Sequence, residues 1–137
     1  MSIAFWCILI AGLLPIVAVA VAKLDNTRGS KRYDNNHPRD WLAERDGRAK
    51  RAYAAHLNSF EAFPLFAAGV LVAAYLKTPA ATIDTLAIIF IAARCVYIWC
   101  YISNYATARS LIWFVGIGAT VGLFIAAATA TPVLPLP

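Results

Sequence analysis

The stretch Arg51-Ala-Tyr-Ala-Ala-His-Leu-Asn-Ser-Phe-Glu-Ala-Phe-Pro64 places polar side chains at the start of a long apolar run. A carboxylate in a hydrocarbon-embedded helix costs about 2.5–3.5 kcal/mol on insertion scales, so it usually faces protein or water. At 3.6 residues per turn, Arg51, Asn58 and Glu61 lie on one face of the predicted helix, whereas His56 points elsewhere. Glu61 therefore requires a partner in the folded protein.

The composition around this stretch is that of a membrane protein. Of the 137 residues, 61% are hydrophobic, and the mean hydropathy is +0.67, whereas soluble domains contain about 45–50% apolar residues. A helix needs about 20 apolar residues to cross a bilayer core, and four stretches are long enough: 3–22, 52–76, 80–102 and 111–131. The sequence therefore predicts an all-α, integral membrane four-helix bundle, formed as a single domain over residues 1–137.

The net charge of +5 is concentrated in one segment. Residues 23–51 contain nine Lys or Arg and five Asp or Glu, whereas the opposite side carries only Lys77 and Asp84. Because basic residues mark the cytoplasmic side, loop 23–51 is predicted to be cytoplasmic, with both termini on the opposite side. This placement favours a membrane face over a nucleic-acid partner. The first span has no basic n-region or cleavage-like site, so we interpret it as a mature span rather than a signal peptide.

Shorter features of the loop and spans lead to local predictions. A short helix is predicted from Pro38 or Asp40 to Arg48, with Asp40 as its candidate cap. His37 is interpreted as a solvated loop histidine rather than a ligand. The cysteines lie in apolar spans without metal-binding spacing, which predicts three buried thiols: Cys7, Cys95 and Cys100.

A second unusual group of polar residues lies in the third span. Arg94, Tyr97 and Tyr101 follow the spacing i, i+3, i+7 and share one helical face. An arginine keeps its charge at any accessible pH, so Arg94 needs an anion, and Glu61 is the only acid of the second span. The pattern predicts either a functional site or a buried Glu61–Arg94 ion pair that only fixes helix register.

The fourth span follows a predicted link, Ser103–Ser110. Arg109 in this link either anchors the next helix at the headgroup level or belongs to the same site as Arg94. Gly118 and Gly122 form a small-residue stripe that is predicted to pack on a neighbouring helix.

Together these features resemble the MAPEG family, membrane-associated proteins in eicosanoid and glutathione metabolism, and especially its uncharacterised bacterial branch. The shared features are four short spans, a basic loop, Arg-x6-Asn-x2-Glu, Arg-x2-Tyr-x3-Tyr and an arginine near the fourth span. The resemblance implies a homotrimer in a bacterial inner membrane, with glutathione sites between subunits near the cytoplasmic face. It implies that glutathione thiolate is stabilised by Arg109, together with Ser110. It also implies that glutathione is bound by Arg51, Asn58, Glu61, Arg94, Tyr97 and Tyr101.

The leading functional hypothesis is a glutathione-dependent transferase or peroxidase acting on lipophilic electrophiles. Glutathione carries two carboxylates and one amine, which suit arginines and Glu61 respectively, and a nearby cation favours the reactive thiolate. Family enzymes have arginines where this chain has Ala54 and, in some members, Leu57. Each such arginine contact is worth about 1.5–3 kcal/mol, so its loss is predicted to lower the affinity for glutathione tenfold or more.

The alternative hypothesis is a non-catalytic trimeric membrane protein, such as an accessory or lipid-binding subunit of a larger membrane complex. In that case the Glu61–Arg94 pair is structural. A transporter is disfavoured, because the chain has no repeated halves and no pair of broken helices.

Overall fold

The structure is a computed structural model, which describes residues 1–25 and 33–130. Five helices follow one another along the chain: α1 (Ile3–Leu24), α2 (Pro38–Ala43), α3 (Gly47–Tyr75), α4 (Ala80–Ile102) and α5 (Ala106–Ala130). The described ranges contain no strand, and every helix except α2 is long and apolar enough to cross a membrane. The predicted all-α architecture with four membrane-capable helices is therefore confirmed.

Two of the four long helices begin earlier than their predicted spans. α1 and α4 agree with the predictions 3–22 and 80–102 to within two residues, but α3 and α5 each begin five residues before the predicted 52 and 111. The apolar run marks only the part of a helix that suits hydrocarbon, whereas backbone hydrogen bonding continues through the polar turns beside it. Position 131 of the fourth predicted span and positions 26–32 of the predicted loop lie outside the described residues.

The short helix of the loop differs from its prediction at both ends. α2 stops at Ala43 rather than Arg48, and the predicted capping role of Asp40 is wrong because Asp40 lies inside the first turn. Trp41 of α2 is buried in an apolar cluster with α1 and α3. The chain then turns at Gly47, whose φ of +57° is accessible to glycine without strain. An apolar contact and a glycine turn therefore define this helix, rather than a carboxylate cap.

The core is built by close packing of small and aromatic side chains. α1 packs mainly on α3, and α4 mainly on α5. Phe66 of α3 and Phe90 of α4 stack in parallel with their ring centroids 3.8 Å apart, and Leu123 of α5 is fully buried beside them. Since lipid tails are as apolar as these side chains, van der Waals packing rather than transfer from water holds the helices together.

Glycines allow close helix contact at two positions in α3 and α5. A Cβ added at Gly69 would lie 3.3 Å from Leu123 Cβ, and one added at Gly122 would lie 3.3 Å from a methyl carbon of Leu86. A Cβ at Gly118 would meet nothing within 4 Å. Only the Gly122 half of the predicted stripe therefore packs on a helix of the same chain.

The sequence also predicts the exposure of four further residues, and one of those predictions is wrong. His37 is exposed, as predicted. Cys7 and Cys100 are buried, but Cys95 is exposed. An apolar span does not imply burial within the chain, because one side of a membrane helix faces lipid or another subunit.

Asp84 joins the start of α4 to the start of α1. Its Oδ1 accepts a hydrogen bond of 2.8 Å from the backbone N–H of Ala4. This N–H belongs to the first turn of α1, where backbone donors have no partner within the helix. Ser2, at the N-cap position, makes no side-chain cap bond, so Asp84 acts as a cap supplied by another helix.

Replacing Asp84 with alanine is expected to destabilise the protein by about 1 kcal/mol, the usual cost of losing a helix N-cap. Thermal unfolding in detergent measures the effect. Thr85→Ala is the matched control, because Thr85 is exposed and donates only to Ala81 of its own helix. Equal melting temperatures for the two variants would refute the capping role.

Candidate functional site

Three polar side chains of α3 stand beside the apolar core. Asn58 is half-buried, Ser59 is buried and Glu61 is exposed at the surface of the chain. Asn58 Nδ2 donates to Glu61 Oε2 at 3.1 Å, a contact that the i, i+3 spacing on a helix allows. The two residues thus point the same way, as predicted, while His56 contacts α1 instead.

Arg94 of α4 is buried against these residues. Its guanidinium nitrogens donate to Asn58 Oδ1 at 3.1 Å and to Ser59 Oγ at 3.0 Å. Ser59 Oγ in turn donates to the Ala55 carbonyl at 2.7 Å. Neutral oxygens of α3 therefore solvate the arginine in the interior.

The predicted Glu61–Arg94 ion pair is absent from the structure. No carboxylate oxygen of Glu61 lies within ion-pairing distance of Arg94, and Asn58 hydrogen-bonds to both side chains. The Asn58 side chain presents its amide oxygen to the cation and its amide nitrogen to the anion. The sequence correctly predicted that Glu61 and Arg94 lie at similar depths. It did not predict that the Asn58 amide lies between them.

Aromatic rings continue this arrangement from α4 to α5. The Arg94 guanidinium lies over the Tyr97 ring at 4.2 Å, and the Tyr97 and Tyr101 rings meet edge to face at 5.6 Å. The Arg109 guanidinium lies over the Tyr101 ring at 4.3 Å. Such cation–ring contacts are attractive and help to hold the guanidinium over the ring. We call the connected set the polar series, formed by Glu61, Asn58, Arg94, Tyr97, Tyr101 and Arg109.

A tight turn between α4 and α5 brings Arg109 to this position. The connection is Ser103–Tyr105, three residues rather than the predicted Ser103–Ser110. Asn104 has φ +66° and donates to the Tyr101 carbonyl, and Tyr105 N donates to the Cys100 carbonyl. This is the Schellman pattern, in which asparagine is one of the few residues that tolerate left-handed backbone.

Two predicted site residues are not part of the polar series. Arg51 Nε donates to the Ile102 carbonyl at 3.0 Å, so Arg51 places a positive charge at the carbonyl end of α4. Ser110 is exposed, and its hydroxyl donates to Ala106 of its own helix at 3.2 Å.

A cavity of about 150 Å³ adjoins the polar series between α3, α4 and α5. Its polar wall is Asn58, Glu61 and Arg94. The remaining wall is largely apolar and includes Leu65, Phe90, Trp113, Gly116 and Thr120. We call this space the site cavity. It places charged groups next to an apolar surface. A site for an amphiphilic ligand, or for a peptide with an apolar co-substrate, requires both.

Some of these residues were missed in the sequence, although a signal was present. Arg109, Trp113, Gly116 and Thr120 follow the spacing i, i+4, i+7, i+11, which places them on one face of α5. That spacing predicts that the three later residues form one surface with Arg109 along α5. Ser59 carried a weaker signal, because a serine in an apolar helix commonly bonds only to its own backbone.

Three comparisons with known proteins were made. The family model of the MAPEG family matches residues 3–129, nearly the whole chain. A search of curated proteins and a search of solved structures gave no match.

Proposed function

Because the chain belongs to the MAPEG family, we propose that this integral membrane protein is a glutathione-dependent transferase or peroxidase. Its second substrate is a lipophilic electrophile that enters from the bilayer. The observation that carries the proposal is the polar series. It connects the exposed carboxylate of Glu61 to Arg109 through four intervening side chains: Asn58, Arg94, Tyr97 and Tyr101. Arg109 lies one turn before Trp113, which belongs to the apolar wall of the site cavity.

The charges of the polar series suit the tripeptide. A guanidinium has five N–H donors, and Arg94 uses two of them on Asn58 and Ser59, which leaves three for a carboxylate of glutathione. Glu61 uses one carboxylate oxygen on Asn58, and the other is available to the glutathione amine. Arg51 binds the second carboxylate, and Tyr97 and Tyr101 shape the pocket.

Arg109 stabilises the glutathione thiolate in this proposal, and Ser110 lies next to it. A cation beside sulfur lowers the pKa of the thiol, and the thiolate is the form that attacks an electrophile. The contact with the Tyr101 ring holds the guanidinium without using its N–H donors, so they remain available to a ligand.

We further propose that the active assembly is a homotrimer, with each site completed by a second subunit. The site cavity of about 150 Å³ is smaller than the 300–1,000 Å³ that is usual for ligand sites. Glu61 is exposed on the surface of the single chain, where contact with lipid would cost several kcal/mol. A neighbouring subunit that covers Glu61 would remove this cost and enlarge the site.

The positions at which family enzymes carry additional arginines lie apart from each other. Ala54 is half-buried one turn before Asn58, whereas Leu57 is exposed and lines a different cavity. We therefore expect the missing arginine at Ala54 to weaken glutathione binding, by tenfold or more. An arginine at position 57 would not face the site cavity of the same chain.

The proposed location is a bacterial inner membrane, with loop 23–51 cytoplasmic and both termini on the opposite side. Nine Lys or Arg in that loop support this orientation. Glutathione would then reach Arg51 and Arg109 from the cytoplasm, while the electrophile would reach the apolar wall from the bilayer.

Native mass spectrometry of the full chain in mild detergent tests assembly and ligand together. We expect a mass of three chains that gains up to three glutathione molecules. N-acetylglutathione is the matched control ligand, because it keeps both carboxylates and the thiol but lacks the amine for Glu61. Its affinity is expected to be about tenfold lower, the loss of one charge-assisted contact.

The outcomes of that experiment separate the two functional hypotheses. Monomers or dimers alone would refute the trimer. Trimers without bound glutathione at millimolar concentration would refute the enzyme and favour a non-catalytic trimer, an accessory or lipid-binding subunit of a larger membrane complex. The hydrogen bonds from Arg94 to Asn58 and Ser59 within the same chain support that second hypothesis, since they also suit a purely structural role.

A further inference from the structure

A second, larger cavity lies where α1 ends and α3 begins, on a different face of α3 from the site cavity. Its volume is about 510 Å³, and it lies between α1, α2 and the first turns of α3. This volume falls within the range of ligand-binding sites. We call it the loop-end cavity.

The charged side chains among the described residues that line the loop-end cavity are of one sign. Lys23 of α1 and Arg39 of α2 line it, and none of its described lining residues is Asp or Glu. Arg39 is exposed and forms no ion pair with a described residue, and Lys23 lies 4.7 Å above the ring of Tyr33. The two other cavities described contain a carboxylate each, from Glu61 and Asp84. The loop-end cavity is therefore suited to an anion.

Polarity changes along the length of this cavity. The cations lie at the loop end of the cavity. Val19 lies one turn before Lys23 in α1, further from the loop. In α3, Phe60 lies about two turns beyond Tyr53. At 1.5 Å per residue, the step from Tyr53 to Phe60 is about 10 Å. Leu57 and Phe60 are about half exposed, so the apolar part opens on the outer surface of the chain.

The wall between the two parts is held in place by His56. Its Nδ1 lies 2.8 Å from the Pro15 carbonyl oxygen, and because a carbonyl only accepts, Nδ1 carries the proton. The ring is stacked on Tyr53 at 5.8 Å and meets Phe60 edge to face at 5.1 Å. This side of the cavity is thus formed before any ligand binds.

We propose that the loop-end cavity binds an anionic phospholipid, with the headgroup phosphate between Lys23 and Arg39 and one acyl chain along Leu57 and Phe60. Basic pockets between transmembrane helices on the cytoplasmic side of a membrane protein bind anionic lipid headgroups in this way. The order of groups, cations first and apolar side chains deeper, matches the order of phosphate and acyl chain in a lipid leaflet. A soluble phosphate would make no use of the apolar half.

Lipid binding to the delipidated full chain in neutral detergent tests this proposal. Native mass spectrometry compares phosphatidylglycerol with phosphatidylcholine of identical acyl chains. The wild type is expected to prefer phosphatidylglycerol about 25-fold, since each of the two cations contributes roughly fivefold. The double variant Lys23→Gln with Arg39→Gln is expected to reduce the preference to less than about twofold. Arg48→Gln with Lys50→Gln is the matched control, because both side chains are exposed and lie outside the cavity, and it should keep the preference.

Further arms of the experiment identify the occupant. Leu57→Asn is expected to weaken both lipids equally, because it alters only the apolar half. Three outcomes would each overturn the proposal. Inorganic phosphate could displace phosphatidylglycerol, or oleate could bind equally well. In the third, no lipid binds because a second copy of the chain covers the cavity. If the double variant does not fold, Arg39→Gln alone replaces it, because Arg39 is exposed, and an unchanged preference in that variant would also overturn the proposal.

Discussion

Arg109→Ala is expected to lower turnover with an electrophile such as a chloronitrobenzene by at least about tenfold, while the KM for glutathione changes much less. The reason is where the charges lie. Arg109 stacks on Tyr101 at the far end of the polar series from Glu61, so the proposed peptide contacts at Glu61, Arg94 and Arg51 remain. Removing the cation beside sulfur raises the pKa of the bound thiol, and one unit corresponds to about 1.4 kcal/mol, or tenfold.

Ultraviolet absorbance of the thiolate, followed against pH with glutathione bound, measures this pKa directly. Arg48→Ala is the matched control: it removes an exposed arginine at the start of α3 and should leave both titration and turnover unchanged. A variant of Arg109 with an unaltered titration and unaltered kcat would identify Arg109 as an interfacial anchor and favour the non-catalytic trimer.

The positions of the spans followed from the sequence because a membrane imposes one simple rule. About 20 apolar residues are needed to cross hydrocarbon, and each of the four long helices contains such a run. The starts of α3 and α5 did not follow, since their first turns are polar or small and the apolar run does not include them. α2 ends at Ala43, and the chain turns at Gly47 to begin α3, a turn that hydropathy does not report.

The candidate site followed in part, for a similar reason. Helical spacing alone places Asn58 with Glu61, and Arg94 with Tyr97 and Tyr101. Which side chain of one helix meets which of another depends on rotation and depth to within a few ångströms. The sequence suggested charge meeting charge across α3 and α4, whereas the structure has an amide between them.

Residues that bond to the backbone were the hardest to assign. Arg51 was grouped with Asn58 and Glu61 by spacing, yet its Nε donates to the end of α4. A long side chain at a helix end can reach an exposed carbonyl of a neighbouring helix, and nothing in the spacing of one helix indicates that neighbour. The resemblance to a family indicated a role for Arg51 in ligand binding, which remains a proposal.

Asn58→Ala is expected to destabilise the protein more than Glu61→Ala does. Asn58 accepts from buried Arg94 and donates to Glu61, so its removal leaves a buried guanidinium with one acceptor fewer. Hydrogen bonds to charged groups contribute about 1.5–3 kcal/mol. Glu61 is exposed and loses one hydrogen bond, so its replacement should cost less than about 1 kcal/mol. This order reverses the one that a direct Glu61–Arg94 ion pair predicts.

Unfolding free energies in detergent, arranged as two double-mutant cycles, separate these arrangements. The cycle of Asn58→Ala with Arg94→Gln should give a coupling energy within the range of about 0.5–3 kcal/mol for residues in contact, and the cycle of Glu61→Gln with Arg94→Gln a smaller one. Thr129→Ala is the control, since its exposed hydroxyl bonds only to its own helix. A larger coupling between Glu61 and Arg94 than between Asn58 and Arg94 would mean that the two charges pair directly. The glutathione amine would then have to compete with Arg94 for the same carboxylate.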